Sequence, residues 1–184
     1  MEHKKIIIDG NTFVISDHHF YHENIIKYCF RPFKTGKEMN HIMILKWNKV
    51  VSKNDTVLHL GDFSFGNKKM VSSIRKKLNG EIYMIKGNHD KHGVKWYSDC
   101  GITLIKKPFT ENNILFSHAR KEVGKNIINI HGHSHSHLNS EYPYLNVCVE
   151  QLNYTPIKIY DLFIKMNIHD HYIYIYEEQN RKYK

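Results

Sequence analysis

Five short apolar runs of the chain each end in residues of the kinds that bind metal ions. The polar ends that follow these runs are Asp17-His18-His19, Gly61-Asp62, Gly87-Asn88-His89-Asp90, His118 and His131-Gly132-His133-Ser134-His135. Apolar runs of this length are typical of buried strands. Ligands of α/β proteins gather outside the carboxyl ends of strands, where the loops converge. The pattern therefore predicts an α/β fold with one polar site at its loop ends.

Length and composition favour one folded domain over residues 1–184, because 41% of the residues are hydrophobic and the charge is mixed. No apolar run approaches the ~20 residues that cross a bilayer, and the start of the chain lacks a signal-peptide core. We expect a soluble, cytoplasmic protein with no membrane partner. Cys29, Cys100 and Cys148 are widely spaced, which argues against a disulfide framework or a thiolate zinc site. Nothing in the sequence indicates the oligomeric state.

The net charge of +9 comes largely from lysines spread along the chain. A solvated basic surface explains this charge, and no interleaving of aromatic and basic residues resembles a nucleic-acid motif. The alternative is that the positive field attracts phosphates or polyanions. Both interpretations remain open at this point.

The hydrophobic pattern predicts an alternation of strands and helices. Strands are predicted at residues 5–9, 12–16, 57–60, 81–86, 102–106, 113–117, 126–131, 144–149 and 171–176. Helices are predicted at residues 23–28, 37–51, 68–78 and 156–166, the last beginning at Pro156. The sequence contains no internal repeat, low-complexity segment or linker.

The residue types of the polar ends favour a site for first-row divalent cations. Imidazole and carboxylate ligands without thiolates suit manganese, iron, zinc, cobalt or nickel. Two such ions ~3.5 to 4 Å apart repel each other unless anions bridge them, and the isolated Asp62 is a natural bridge. Each motif alone is explained by a turn or a helix cap. Their joint appearance after five strands favours the metal site. Five further histidines are interpreted as neighbours or surface residues: His22, His59, His92, His131 and His137.

Together these motifs resemble the full motif set of calcineurin-like metallophosphoesterases. The matching residues are Asp17-x-His19, Gly61-Asp62, Gly87-Asn88-His89-Asp90, His118 and Gly132-His133-x-His135. The resemblance covers roughly residues 12–166. It implies a four-layer α/β/β/α sandwich of two mixed β-sheets flanked by helices, with the metal centre at the loop ends.

The resemblance also implies a role for each motif residue. One metal ion would be held by Asp17, His19, Asp62 and His135. The second would be held by Asp62, Asn88, His118 and His133. His89 would help the leaving group depart, and Asp90 would orient that histidine.

A narrower likeness is to small bacterial and phage members without a cap domain. It rests on Phe20-x-His22-x-Asn24-Ile25-Ile26, Arg31-Pro32-Phe33, and Asn146-Val-x-Val followed by Asn-Tyr-x-Pro. Cys148 and Glu150 stand where these relatives more often carry Gly and Asp, and His18 replaces a commoner Thr. Arg31 is a candidate for gripping the substrate phosphate and His18 for touching substrate. The alternatives are a surface arginine braced by proline and a spectator histidine.

These observations predict a dinuclear metal-dependent phosphoesterase with two divalent ions, manganese being favoured. A phosphodiesterase of small nucleotide-like or other phosphate esters is the preferred interpretation, with attack by a metal-bridging hydroxide. The positive charge would instead favour a nuclease acting on nucleic acid. A phosphomonoesterase or protein phosphatase is a further alternative. A non-catalytic scaffold is disfavoured, because no motif residue is missing.

Overall fold

The computed structural model describes residues 8–168, and its first sheet combines four strands from residues 13–105 with one strand near the end of the described chain. The strands of this sheet are β1 (Phe13–Ile15), β2 (Thr56–His59), β3 (Glu81–Ile85), β4 (Thr103–Ile105) and β9 (Ile157–Lys158). Their order is β4-β3-β2-β1-β9. The first four run parallel, and β9 pairs antiparallel with β1. The carboxyl ends of β1, β2 and β3 therefore lie at one edge.

The second sheet is formed by the four strands that lie between β4 and β9 in sequence. These strands are β5 (Phe109–Glu111), β6 (Ile114–Ser117), β7 (Ile128–His131) and β8 (Tyr144–Asn146), in the order β5-β6-β7-β8. The pairs β6–β7 and β7–β8 are parallel, whereas β5 and β6 are antiparallel. The ends of β6 and β7 thus also meet at one edge.

Five helices flank the sheets in the described residues: α1 (Ile25–Tyr28), α2 (Gly36–Val50), α3 (Lys68–Arg75), α4 (Val94–Asp99) and α5 (Ile159–Lys165). The α2 helix begins where the Thr35 side chain accepts a hydrogen bond from the amide of Glu38. It buries Met39, Met43 and Trp47, one from each turn, which is the spacing of a helix face packed on a core. No helix between residues 8 and 168 is long and apolar enough to span a membrane.

The two sheets are connected by backbone hydrogen bonds at the end of β1. The amide of Ser16 donates to the carbonyl of Val147 at 2.9 Å, and the amide of Val149 donates to the carbonyl of Ser16 at 3.1 Å. Val147 and Val149 are fully buried beside this connection. The loop after β1 therefore meets the loops of the second sheet.

The architecture predicted from the sequence, two mixed sheets with flanking helices, is confirmed. Several boundaries differ. The predicted strand 144–149 ends at Asn146, and the predicted helix 156–166 begins with β9 before α5. The elements α4 and β5 were not predicted. Residues 8–9 of the predicted strand 5–9 are not in a strand; the rest of it and the predicted strand 171–176 lie outside the described residues.

Candidate metal centre

The predicted ligands come together where the loops of the two sheets meet. The ligand atoms of Asp17, His19 and His135 lie within 4.8 Å of one another, and so do those of Asp62, His118 and His133. The first group combines the loops after β1 and β7, and the second combines the loops after β2, β6 and β7. We call these groups the first and the second cluster.

Asn88 belongs with the second cluster. Its side-chain oxygen lies 2.8 Å from Nε2 of His118 and 2.9 Å from Nδ1 of His133. The other ring nitrogen of His118, Nδ1, donates to the carbonyl of Leu60 at 2.8 Å. This hydrogen bond fixes the ring and leaves Nε2 free to bind a cation, the usual arrangement of a metal-binding histidine.

Asp62 lies between the two clusters. Its Oδ2 is 3.5 Å from Nε2 of His19 and 3.5 Å from Nε2 of His118. Its Oδ1 accepts a hydrogen bond from the amide of His89 at 2.8 Å. One carboxylate oxygen thus faces a histidine of each cluster, while the backbone holds the other oxygen.

Unpaired buried atoms show that the residues fit a cation. Asp17 Oδ1 and both ring nitrogens of His19 are buried without a hydrogen-bond partner in the described structure. Although burial acts to raise the pKa of Asp17, the neighbouring imidazoles of His19, His118 and His135 hold it well below its usual range. A buried carboxylate that stays ionised requires a compensating positive charge. A divalent ion bound by oxygen and imidazole would supply that charge.

The backbone is left-handed at most of the predicted ligands. The φ angles lie between 48° and 69° at Asp17, His19, Asp62, His133 and His135. Such conformations cost of the order of 1–3 kcal/mol for residues other than glycine, and they concentrate at functional sites. The left-handed backbone at these residues thus accompanies the convergence of their side chains on the candidate metal centre.

Asp90 stabilises the loops rather than the His89 ring. Its carboxylate accepts hydrogen bonds from the amides of Asp62 and Gly87, both at 2.8 Å, and of Phe63 at 3.2 Å. The hydroxyl of Tyr97 donates to it as well, at 3.2 Å. Among the hydrogen bonds of residues 8–168, none joins Asp90 to the imidazole of His89, so any orienting effect of Asp90 on His89 would act through these loops.

His89 lies beside both clusters but belongs to neither. Its Nε2 is 4.0 Å from Oδ2 of Asp62, and its side chain is 41% exposed. The ring is therefore open to a molecule that approaches the centre from solvent. This position agrees with the predicted separation of His89 from the ligand set.

Arg31 does not face the substrate side of the centre, and its predicted role in gripping phosphate needs correction. Its guanidinium is fully buried and makes five contacts, enough for its five N–H groups. These reach Glu150 Oε1 from Nε (2.9 Å) and Nη2 (2.8 Å), the carbonyls of His18 and Asp17 (both 2.7 Å), and Met39 Sδ (3.4 Å). A guanidinium with every donor engaged has none left for a phosphate.

His18 is also turned away from solvent, so its predicted contact with substrate is wrong. The residue is fully buried, and its Nδ1 lies 2.9 Å from Nε2 of His59. Its ring stacks on Phe20 with 4.8 Å between centroids. The spectator alternative describes this histidine.

Glu150 and Cys148 both contact the first cluster, although the sequence showed them only as departures from the relatives. Nδ1 of His135 donates to Oε1 of Glu150 at 3.0 Å, which directs Nε2 toward Asp17. Burial opposes protonation of His135, but its contacts with Cys29, Glu150 and Asp17 raise its pKa to about 10. The thiol of Cys148 lies 3.3 Å from Oδ2 of Asp17. The carboxylate at position 150 therefore orients a predicted ligand.

Comparison with known proteins identifies the family. The family model of calcineurin-like phosphoesterases matches residues 11–179. The chain belongs to the calcineurin-like phosphoesterase family. This membership implies a hydrolase of phosphate esters, and the two clusters are its candidate sites for divalent metals.

Three known proteins are similar to this chain over most of its length. The uncharacterized protein MJ1445 of Methanocaldococcus jannaschii is 40% identical over 167 residues, covering 84% of this chain and 89% of MJ1445. The crystal structure of protein AQ665 from Aquifex aeolicus, of unknown function, has a TM-score of 0.60 at 30% identity. The match covers 79% of this chain and 94% of AQ665. The nuclease MPE of Pseudomonas putida is similar in fold, with a TM-score of 0.50 at 17% identity over 68% of this chain and 62% of the nuclease.

Proposed function

We propose that this calcineurin-like phosphoesterase is a dinuclear metal-dependent phosphodiesterase that hydrolyses small nucleotide-like or other phosphate esters. The observation that carries the proposal is the position of Asp62 Oδ2, which is 3.5 Å from an imidazole nitrogen of each cluster. An anion shared between two sites offsets the repulsion of two cations. Asp62 therefore meets the requirement for a bridging ligand.

The remaining ligands divide between the two ions as the clusters do. Asp17, His19 and His135 would hold one ion with Asp62, and Asn88, His118 and His133 would hold the other. Two divalent ions, manganese in the first place and iron, zinc, nickel or cobalt as alternatives, would polarise phosphoryl oxygens and lower the pKa of water from 15.7 toward ~7. The chain itself forms no covalent intermediate in this proposal.

His89 is the residue proposed to move a proton. Its exposed ring, 4.0 Å from Asp62, can reach a phosphate ester at the centre while remaining outside the ligand set. Nε2 would donate a proton to the oxygen of the leaving group. Asp90 would act on this step indirectly, because it accepts hydrogen bonds from the amides of Gly87 and Asp62, which belong to two loops of the centre.

The experiment that tests the proposal is a comparison of Asp62→Asn with wild type and with Asp99→Asn. Asp99 is a matched control because it lies on α4 and pairs only with the exposed lysines Lys68 and Lys95 in the described residues. We expect two equivalents of manganese per wild-type chain by elemental analysis, and fewer in Asp62→Asn. Hydrolysis of bis-para-nitrophenyl phosphate should fall at least ~100-fold in Asp62→Asn and stay unchanged in Asp99→Asn. Normal turnover by Asp62→Asn, or full activity with one ion, would refute the bridge.

A nuclease is the second candidate, favoured by the net charge of +9 and by the fold shared with the nuclease MPE. The two candidates differ in the effect of salt, because each phosphate contact of a polyanion releases counterions. Cleavage of single-stranded nucleic acid that is much faster than that of small diesters, and that falls steeply between 50 and 200 mM salt, would favour the nuclease. Para-nitrophenyl phosphate as the better substrate would instead indicate a monoesterase.

A further inference from the structure

A row of aromatic rings leads from the candidate metal centre to the surface. We call it the aromatic row, and its members are His89, Phe65, His22 and Tyr28. The rings of Phe65 and His89 are 5.0 Å apart, those of Phe65 and His22 are 3.9 Å apart, and those of His22 and Tyr28 are 6.1 Å apart. Phe65 also lies 5.5 Å from His19 of the first cluster.

The Phe65 ring is exposed although it has a stacking partner. Its plane is within 16° of the His22 plane, so His22 supports it in a defined orientation. Nevertheless 45% of Phe65 and 63% of Tyr28 remain exposed. Phe20, on the loop that carries His22, and Phe63, on the loop that carries Phe65, are fully buried, so these loops do bury aromatic rings elsewhere. Large apolar side chains left exposed beside a polar cleft are a mark of a ligand site.

We propose that Phe65, supported by His22, is a stacking platform for the nucleobase of a nucleoside phosphodiester. This inference rests on the proposed function and adds the substrate class to it. The platform lies next to His89, the residue proposed to protonate the leaving group, so an aromatic group attached close to the reacting phosphate would reach it. Nucleobases are flat aromatic groups with a π-face, and stacking on an aromatic side chain tolerates every base. Phe65 is therefore a specificity-determining residue in this proposal, because it would contact the base and not the reacting phosphate.

The test compares two diesters that carry no aromatic group other than the base. Methyl thymidine 5′-phosphate carries a base, and methyl ethyl phosphate does not; hydrolysis of both is followed by chromatography of the products. Wild-type protein loaded with manganese should hydrolyse the thymidine ester with the higher kcat/KM. Phe65→Ala should lose roughly 5- to 150-fold on the thymidine ester, mainly through KM, since stacking of one base is worth this factor. Its activity on the ethyl ester should change by less than ~2-fold.

Two further variants serve as controls. Phe65→Tyr keeps the aromatic face and should retain the preference for the thymidine ester. Ile164→Ala removes an exposed apolar side chain on α5, away from the aromatic row, and should behave as wild type on both esters. Equal losses of Phe65→Ala on both esters would assign Phe65 to the support of His89 and refute the platform. Equal kcat/KM of the wild-type protein for the two esters would also refute it.

Binding of thymidine 5′-monophosphate separates the platform from the proposed function. If manganese-loaded wild type hydrolyses neither ester, the proposed function is refuted and calorimetric binding decides the inference alone. Weaker binding of thymidine 5′-monophosphate to Phe65→Ala, with unchanged binding of inorganic phosphate, would support the platform. Unchanged binding of both would overturn it.

Discussion

His89 and Asp90 are neighbours in sequence, but their side chains lie in opposite environments. The His89 ring is 41% exposed at the candidate metal centre, whereas the Asp90 carboxylate is buried under four hydrogen bonds. Burial is the largest influence on the pKa of Asp90 and raises it. The amides that donate hydrogen bonds to the carboxylate oppose this rise in pKa. At the scale of single residues, one side chain is open to solvent beside the candidate metal centre and the next stabilises the loops.

The exposed position of His89 leads to a prediction about leaving groups. Proton donation contributes most when the leaving alkoxide is strongly basic, with typical factors of ~10² to 10⁴. His89→Ala should therefore lose this much on an alkyl or nucleoside ester and much less on a para-nitrophenyl ester. Steady-state kinetics on both esters, with manganese content measured in parallel, check the prediction.

Two other outcomes would give His89 a different role. Equal losses on both esters with the metals retained would assign His89 to positioning or charge stabilisation. Loss of manganese would make it a ligand. His92→Ala is the matched control, because His92 stacks on Trp96 and not on the aromatic row.

At the scale of elements, the Arg31–Glu150 ion pair connects segments that are far apart in sequence. Arg31 follows α1 and Glu150 follows β8, and their side chains are 0% and 7% exposed. The pair also holds the carbonyl of Asp17 and the ring of His135, which are parts of the first cluster. Because loss of one partner leaves a buried charge uncompensated, such a pair is expected to be intolerant of change.

This connection predicts that Glu150→Gln lowers the metal affinity of the first cluster. The substitution keeps the shape but removes the charge that orients His135, and loss of such a partner typically costs 10- to 100-fold in metal affinity. A manganese titration followed by calorimetry should show one weakened site and one unchanged site. Glu141→Gln is the matched control, because Glu141 pairs with Arg120 at the surface. An unchanged first site in Glu150→Gln would contradict the orienting role.

The strands and their polar ends were predictable from the sequence, whereas the contacts between segments that are distant in sequence were not. Apolar runs that stop at Asp17, Asp62 or His118 predicted both the strands and the meeting of their polar ends. The α4 helix has six residues and β5 has three, which is too short for a periodic signal. The β9 strand has two residues and depends on pairing with β1, more than 140 positions earlier, so only tertiary structure reveals it. Arg31 and Glu150 are 119 residues apart, and no local pattern could show that they pair.

At the scale of the whole molecule, the candidate metal centre draws its ligands from both sheets. Asp17, Asp62 and Asn88 follow strands of the first sheet, and His118, His133 and His135 follow strands of the second. Bound ions would therefore add to the hydrogen bonds that Ser16 makes between the sheets. Since the unfolded chain does not assemble this set, metal binding must stabilise the native state.

We expect manganese to raise the melting temperature of the protein. At 100 times the dissociation constant a single bound ion contributes ~2.7 kcal/mol, which corresponds to roughly 5–10 °C for a chain of this size. Differential scanning calorimetry with and without a chelator measures this shift. Asp62→Asn should show a much smaller one. An equal rise in both proteins would mean that manganese stabilises the fold at another place.

The left-handed backbone of the ligand residues presents the metal ligands but lowers the stability of the folded chain. The conformations of Asp17, His19, Asp62, His133 and His135 cost free energy in every folded molecule, and bound metal offsets that cost. Glycine at these positions would relieve it, at the expense of the ligands. In the absence of bound metal, replacement of these ligands by unstrained residues would thus make the folded chain more stable. An intact ligand set is maintained against this gain in stability only while the chemistry is under selection.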